Sequence, residues 1–302
     1  MTSEVVRRRW QRVDGVLLLD KPTGMTSNAA LQAVRRLYSA AKAGHTGTLD
    51  PLATGLLPLC FGEATKFSSD LLDADKVYEA DVLFGVKTTT ADAEGDVLER
   101  RPVEFAQGDL IATMQRFLGR IRQVPPMYSA LKRDGKPLYE LARQGIEVER
   151  AAREVEIKAL ELLAFGGETC RLKVACSKGT YIRTLVEDIG AALGCGAHLT
   201  GLRRTEVGRL RIAQAVRLDA LVEMDESQRA AVLQAPDCLL SELTAVHLDG
   251  AEAERFAHGN PAMTGAPVAE GKVRVYGADG CLLGLGVVDS ESRVHPKRLV
   301  SQ

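Results

Sequence analysis

The chain has 302 residues, enough for one large domain and a small one. Apolar residues make up 45% and charged residues 26%, as in globular proteins, and no apolar run approaches the roughly 20 residues that a membrane-spanning helix needs. The net charge of -1 argues against wide, non-specific electrostatic wrapping of nucleic acid, and the N-terminus lacks the apolar core of a signal peptide. We therefore expect a cytoplasmic protein.

The first elements are a strand and a helix. Residues 1–11 are basic and polar, and we expect them to be poorly ordered. Gly15–Leu19 has the short apolar run of a buried strand, and Lys21 after it is expected in an exposed turn. Thr26 or Ser27 can cap a helix that carries an apolar stripe from Leu31 to Tyr38.

The next stretch, Gly44 to Cys60, reads G-H-T-G-T-L-D-P-L-A-T-G-L-L-P-L-C and holds one carboxylate, Asp50. It is not a phosphate loop, because the G-x-x-x-x-G-K-[ST] pattern is absent. Spacing alone favours Asp50 as a helix N-cap, with Pro51 at the first helical position. Apolar neighbours would raise the pKa of Asp50, a cationic partner would lower it, and an ionised, partly desolvated carboxylate is a nucleophile. Both roles are compatible with each other.

The middle of the chain alternates strands, loops and helices. Residues 77–86 alternate apolar and polar side chains, which predicts a strand whose apolar face begins at Tyr78. Residues 88–95 read as a polar loop, and Asp109 can cap a helix that ends before Gly119.

A basic segment follows between residues 124 and 150. It contains three prolines, a D-G turn, a basic stretch and a short helix that ends near Gly145. Basic residues beside Tyr128 and Tyr139 suit an RNA groove, and a surface helical hairpin is the alternative.

Another strand, 171–176, leads through a turn at 177–180 into a helix with its apolar stripe between Ile182 and Leu193. Arg183 lies in the first turn of that helix, where the helix dipole disfavours a cation. A buried carboxylate such as Asp50 is a natural partner, and a solvated arginine is the alternative.

The C-terminal part changes in character. Residues 221–240 look helical, and a short helix at 251–258 precedes a glycine-rich β pattern with a hairpin. We expect one domain over residues 12–247 and a small β domain over 248–302. The apolar-polar alternation predicts an α/β fold of the α+β type around a mixed, largely antiparallel sheet.

The sequence shows no spacing typical of a metal site, and its basic residues form four clusters. The six cysteines and five histidines show no C-x-x-C or H-E-x-x-H spacing, so we expect reduced thiols, no metal and no cofactor. Each basic cluster is either a solvated face or a phosphate contact. The clusters are Arg7, Arg8 and Arg9; Lys132, Arg133 and Lys136; Arg203, Arg204, Arg209 and Arg211; and Lys297 and Arg298.

The run G-H-T-G-T-L-D-P-L-A-T-G-L-L strongly resembles the signature of the tRNA pseudouridine-55 synthase family, called TruB. The segments K-P-T-G-M-T-S, K-V-Y-E-A and K-G-T-Y-I-R-T-L, and residues 196–208, resemble further family motifs. The resemblance covers most of the chain from Gly15 to about Gly208. It implies a mobile, thumb-like RNA-binding insertion at about 124–150, and the position of the small domain suggests a PUA-like RNA-binding module.

The resemblance also implies roles for individual residues. Asp50 would be the nucleophile and Arg183 its partner, while Tyr78 would stack on the target base and is a candidate proton acceptor. The catalytic set is therefore Asp50, Arg183 and Tyr78, and the substrate-binding set is His45, Tyr78, Tyr181 and Leu202.

The implied function is isomerisation of uridine 55 in the T loop of tRNA to pseudouridine, by a monomer that needs no metal. A glycosidic hydrolase is disfavoured, because most of those enzymes need two carboxylates around the bond. A non-catalytic RNA-binding protein or tRNA chaperone would not need the Asp50, Tyr78 and Arg183 set. A guide-RNA-directed relative is a further alternative, and the thumb-like insertion favours a stand-alone enzyme.

Overall fold

The computed structural model describes residues 10–129, 131–133 and 135–301. The basic residues Arg7, Arg8 and Arg9 and the aspartate of the predicted D-G turn, Asp134, lie outside the described residues. None of the described helices is both long enough and apolar enough to cross a membrane.

The described elements are short strands joined by few helices. The strands are β1 Gly15–Lys21, β2 Ala43–His45, β3 Thr54–Phe61, β4 Lys76–Phe84, β5 Val86–Thr88, β6 Val97–Arg100, β7 Gly119–Gln123, β8 Lys132–Arg133, β9 Lys136–Pro137, β10 Arg153–Phe165, β11 Thr169–Cys176, β12 Ala197–Val207, β13 Leu210–Arg211, β14 Val216–Arg217, β15 Thr244–His247, β16 Ala262–Met263, β17 Gly271–Tyr276, β18 Leu282–Val288 and β19 Arg293–Leu299. The α-helices are α1 Ser27–Leu37, α2 Ser68–Leu72, α3 Gln107–Gln115, α4 Leu138–Arg143, α5 Ile182–Ala192, α6 Leu218–Glu223, α7 Glu226–Ala231 and α8 Gly250–Ala257. Short 3-10 helices cover Gly62–Lys66, Ile212–Gln214 and Pro236–Leu240.

One large sheet organises the first domain. Its strand order is β14-β1-β3-β12-β4-β11-β10-β7, with β2 beside β3 and β13 beside β12. The β1–β14 and β3–β12 pairs are parallel, and the other pairs are antiparallel. The prediction of a mixed, largely antiparallel α+β fold is confirmed.

The apolar faces of the helices pack on this sheet as their sequence periods predict. The Oγ1 atom of Thr26 accepts a hydrogen bond from Ala29 N and so caps α1, whose buried side chains pack with those of β1 and β3. Helix α5 buries Ile182, Leu185 and Ile189 against β4, β11 and β12. One cavity thereby lies between the loop before β3, strands β4 and β12, and the start of α5.

The structure differs from the sequence-based expectation at three helix features. No helix begins at Pro51: Ala53 N donates to Asp50 O at 3.1 Å, and the chain enters β3 directly. The apolar run after Asp50 is a buried strand, and periodicity cannot separate a short buried strand from a helix. Asp109 is the third residue of α3 and accepts from Ala106 N at 2.9 Å. Residues 221–240 contain short helices rather than one long helix.

A second, five-stranded sheet forms the C-terminal unit, in the order β15-β17-β18-β19-β16. It begins at Thr244, before the expected boundary at 248, because β15 pairs in parallel with β17. This unit is firmly attached to the first domain. Leu285 shares an apolar cluster with Val16 and Leu18, and Asp70 accepts hydrogen bonds from Lys272 and Arg298.

Candidate active site

A cavity of about 280 Å³ opens between the Asp50 loop, β4, β12 and the start of α5. Five of the residues predicted from sequence line it: Asp50, Tyr78, Tyr181, Arg183 and Leu202. His45, the sixth, is not among its lining residues. Thus residues that are far apart in the chain meet at one place because the order of strands in the sheet brings β4 next to β12.

Asp50 and Arg183 form an ion pair at the edge of this cavity. Arg183 is 5% exposed, and its Nη2 lies 2.9 Å from Asp50 Oδ2. The Asp50 side chain keeps 41% of its surface exposed, so a ligand in the cavity can reach its carboxylate. The Asp50 carboxylate therefore compensates the positive charge of Arg183 at the start of α5, where the helix dipole disfavours a cation.

The pKa of Asp50 is raised from its ordinary value, and burial is the largest cause. The nearby carboxylate of Asp92 raises it too, whereas the charges of Arg183 and Lys21 lower it. Burial removes water that would stabilise the anion, and the cations replace part of that stabilisation. A carboxylate in this balance is less solvated than an ordinary aspartate and therefore more reactive.

Arg183 is held by further groups that sequence reasoning missed. Its Nη1 donates to Thr90 O at 3.2 Å and its Nη2 to Tyr128 O at 2.6 Å. Its Nε lies 3.6 Å from Oδ2 of Asp92, which is buried. The sequence signal for Asp92 was only a carboxylate in a polar loop, and such loops are usually solvated.

Gln123 fixes the start of α5 and was also missed. Its Oε1 accepts from Tyr181 N at 3.0 Å, and its Nε2 donates to Tyr181 O at 3.3 Å. Gln123 ends β7 and is 2% exposed. Because Tyr181 immediately precedes α5, this two-way contact sets the direction in which Tyr181 and Arg183 leave the sheet.

The two tyrosines of the cavity keep their protons at neutral pH. Burial raises the pKa of Tyr181, and it raises the pKa of Tyr78 against the opposing charge of Arg204. An ordinary tyrosine already has a pKa of about 10. The shift of Tyr78 is therefore in the wrong direction for a proton acceptor and suits a ring that packs on a base.

His45 ends β2 and is paired with Leu59 of β3. It is half-buried, and its Nδ1 is a buried atom without a hydrogen-bond partner among the described residues. Burial and the charge of Arg204 lower the pKa of His45, so the imidazole is neutral at pH 7. A neutral ring can accept or donate one hydrogen bond.

Arg204 does not lie on a solvated face, which is one of the two environments expected for its basic cluster. Alternate residues of a strand face opposite sides of the sheet, and on β12 Leu202 and Arg204 share the side that lines the cavity. Arg204 is therefore only 1% exposed. Arg203 makes two hydrogen bonds to Asp20, while Arg209 pairs with Glu242 and Arg211 with Glu206. By contrast, Lys132, Arg133 and Lys136 are exposed and make no ion pair with any residue that the structure describes.

Lys21 is fully buried, which corrects the expectation of an exposed turn. Its Nζ donates to Pro22 O at 2.9 Å and to Met25 O at 2.6 Å. Burial lowers the pKa of Lys21 to about 8, although the charge of Asp50 opposes the shift. The turn between β1 and α1 therefore folds around this side chain.

The lowered pKa makes the contribution of Lys21 to stability depend on pH. The unfolded chain holds this proton up to about pH 10.4, so between about pH 8 and 10.4 it binds more protons than the folded protein. Stability from this group then rises with pH, by at most roughly 3 kcal/mol. We expect the free energy of unfolding of the wild type, minus that of Lys21→Met, to increase from pH 7 to pH 10 in denaturant titrations. The exposed variant Lys132→Met is the control, and a difference that stays constant with pH would contradict the assignment.

Three family models match successive parts of the chain. "TruB family pseudouridylate synthase (N terminal domain)" matches residues 35–182, "tRNA pseudouridylate synthase B C-terminal domain" matches 183–242, and "Pseudouridine synthase II TruB, C-terminal" matches 244–300. The last match begins at the first strand of the second sheet.

Similar proteins cover nearly the whole chain. A tRNA pseudouridine synthase B of Dechloromonas aromatica is 59% identical over 294 residues, which is 97% of this chain and 98% of that protein. One of Burkholderia mallei is 58% identical over 308 residues, covering 99% of both. A crystal structure of a Cbf5-Nop10-Gar1 complex matches with a TM-score of 0.73 and 28% identity, over 94% of this chain and 84% of that chain. The chain belongs to the TruB family of pseudouridine synthases.

Proposed function

We propose that this protein isomerises uridine 55 in the T loop of tRNA to pseudouridine, and that Asp50 is the nucleophile. The observation that carries the proposal is the exposed carboxylate of Asp50, ion-paired with buried Arg183 in a cavity that Tyr78 and Tyr181 also line. The relatives described above are named tRNA pseudouridine synthase B, which supports tRNA as the substrate.

The reaction detaches uracil from carbon 1′ of the ribose and rejoins it through carbon 5. It is an isomerisation, so it consumes no co-reactant. A cavity of about 280 Å³ cannot admit a duplex, and the target base must leave its stack at a cost of a few kcal/mol. Packing on the ring of Tyr78 would offset part of that cost. Arg183 orients Asp50 through a guanidinium that three other groups hold in place: Asp92 and the carbonyls of Thr90 and Tyr128.

The segment 124–150 is well placed to grip the RNA beside the cavity. Ser129 lines the cavity, and the carbonyl of Tyr128 contacts Arg183. The hairpin β8–β9 follows and carries Lys132, Arg133 and Lys136, all exposed. Phosphate contacts position an RNA without reading its sequence, and sequence-specific RNA recognition mostly targets single-stranded loops. A loop with one extruded base fits this arrangement.

Two alternatives are less well supported. A hydrolase would need a second reactive carboxylate, but the side chain of Asp92 is only 4% exposed and lies on Arg183, and Glu94 is not among the residues that line the cavity. The guide-RNA-directed class is less favoured because the relatives that are 58–59% identical over nearly the whole chain are named tRNA pseudouridine synthase B. We propose a stand-alone, monomeric enzyme.

The proposed function is tested with the purified protein, unmodified tRNA and a short T-arm stem-loop. We expect pseudouridine at position 55 alone, with the stem-loop nearly as good a substrate as whole tRNA in single-turnover kinetics. The Asp50→Asn protein supplies the background. No pseudouridine at any position, release of free uracil, or strict dependence on the anticodon arm would each overturn the proposal.

Replacing basic residues of the β8–β9 hairpin should weaken RNA binding without slowing chemistry. Each lost phosphate contact reduces the slope of log affinity against log salt by roughly 0.7–0.9. We therefore expect Lys132→Gln and Lys136→Gln to raise the Kd for the stem-loop at low salt and to flatten its salt dependence. Arg116→Gln, an exposed change at the end of α3, is the matched control. If both hairpin variants bind like the wild type, the hairpin does not grip the RNA.

An RNA-binding role for the C-terminal unit is a further part of the proposal. Deleting residues 248–302 would also remove Leu285 from the cluster that it shares with Val16 and Leu18. The deletion would expose apolar surface of the first domain, so a loss of activity would not be specific to RNA binding. Substitution of the exposed Lys297 tests the role without that damage.

A further inference from the structure

Arg204 is a buried cation whose side chain donates to backbone carbonyl groups. Its Nε donates to Leu56 O at 2.8 Å and its Nη2 to Gly47 O at 2.9 Å. No carboxylate within the described part of the chain forms an ion pair with it, although it is 1% exposed and lines the cavity. Burying an arginine is costly unless its charge is compensated, and two carbonyl groups compensate it less than a carboxylate does.

Lys76 is a second cation of the same kind. It is 8% exposed, lines the same cavity, and donates to Leu72 O at 2.7 Å and to Ala74 O. It likewise lacks an ion-pair partner among residues 10–129, 131–133 and 135–301. The charge of Arg204 acts on it, since Arg204 helps burial to lower the pKa of Lys76 to about 8. The two cations are therefore close enough to disfavour each other.

Both cations lie beside Tyr78, and neither takes part in the ion pair of Arg183 with Asp50. Arg204 of β12 is directly opposite Tyr78 of β4 in the antiparallel register, and side chains so paired are about 5 Å apart at Cβ. Lys76 is two residues before Tyr78 and points to the same face of β4. Arg183, by contrast, is paired with Asp50 and Asp92.

Placing two buried cations together is unfavourable unless an anion joins them, and the charges of Asp73 and Asp75 offset only part of that cost for Lys76. We propose that Arg204 and Lys76 stabilise the negative charge that develops on the uracil ring when its bond to the ribose breaks. Preorganised positive groups in a site that excludes water stabilise such a charge far more than water does. This inference rests on the proposed function.

The charge arises at a defined point of the isomerisation. Asp50 bonds to ribose carbon 1′ as the bond from that carbon to uracil N1 breaks, and the electron pair of the broken bond stays on the uracil. Carbon 5 of the ring then bonds to carbon 1′ and releases the Asp50 carboxylate, the proton on carbon 5 leaves, and N1 ends with one proton. Atoms and charge balance without a co-reactant. The uracil ring is negatively charged only after the bond from carbon 1′ to N1 breaks and before the bond from carbon 1′ to carbon 5 forms. The cations therefore act on the rate rather than on substrate affinity.

The test compares two stem-loops, one with uridine and one with 5-fluorouridine at the target position. Fluorine withdraws electrons and stabilises the uracil anion by itself, so the protein's cations matter less for that substrate. The single-turnover rate of carbon 1′–N1 cleavage is measured by quenching and nucleoside analysis for the wild type, Arg204→Gln, Lys76→Met and Leu202→Ala. Leu202→Ala is the control, because Leu202 lines the same cavity and has no charge.

We expect Arg204→Gln to slow cleavage of uridine by about 10²–10³-fold, as removal of one oxyanion donor does. The loss should be clearly smaller with 5-fluorouridine, and Lys76→Met should show the same inequality. Leu202→Ala should slow both substrates equally. Equal losses on the two substrates, or a changed Kd with an unchanged cleavage rate, would overturn the inference.

Circular dichroism shows whether each variant is folded. Should Arg204→Gln fail to fold, Lys76→Met decides by the same ratio of losses, since the Nζ of Lys76 donates its described hydrogen bonds to carbonyl groups of its own segment. Failure of the wild type to convert uridine would instead refute the proposed function, so the two failures are distinguishable.

Discussion

Asp50→Asn should form no pseudouridine above background, a loss of at least about 10⁴-fold in single-turnover rate, in the range seen when a catalytic group is removed. The amide has nearly the volume of the carboxylate, and its oxygen can still accept a hydrogen bond from Arg183 Nη2, which lies 2.9 Å from Asp50 Oδ2 in the wild type. Packing should therefore hold while the negative charge and the nucleophile are lost.

Binding separates this outcome from misfolding. We expect the Kd of Asp50→Asn for the stem-loop to stay within a few-fold of the wild-type value, measured by fluorescence anisotropy. Asp96→Asn, an exposed change in the same loop as Asp92, should leave both rate and Kd unchanged. Normal turnover by Asp50→Asn would rule out Asp50 as the nucleophile.

Arg183→Lys should be nearly as damaging, although it keeps the positive charge. The guanidinium contacts Asp50, Asp92 and the carbonyls of Thr90 and Tyr128 at once. An ammonium is a point donor and cannot reproduce this planar set of contacts. Disrupting the buried ion pair of Arg183 with Asp92 costs about 3–5 kcal/mol, which corresponds to roughly 10²- to 10⁴-fold in rate if it falls on the transition state.

The pH profile of Arg183→Lys gives a second measurement. Arg183 is the largest influence that lowers the pKa of Asp50, so a weaker contact should let that pKa rise further. If ionised Asp50 is required, the rate falls as pH drops through this pKa, and the acid limb of the variant should move to higher pH. Arg116→Lys is the control. A near-native rate with an unmoved acid limb would show that Arg183 does not control Asp50.

Strands and helices with a clear periodic pattern of apolar residues could be predicted from the sequence. Alternation predicted β4 and β11, the 3.6-residue stripe predicted α1 and α5, and Thr26 was one of the two candidate caps of α1. The position of Arg183 in the first turn of a helix also called for a carboxylate partner. These predictions succeed because the periods of strands and helices can be read from residues that are close together in the sequence.

Contacts between residues that are far apart in the sequence could not be predicted, because they depend on the tertiary structure. It made the run after Asp50 a strand, because β3 pairs with β1 and β12 on its two sides. It buried Asp92 against Arg183, and it turned Arg204 inward while its neighbour Arg203 pairs with Asp20. Charge counts along the chain cannot separate two adjacent arginines. Their environments differ because alternate residues of a strand face opposite sides of a sheet, and which side is buried depends on elements far away in sequence.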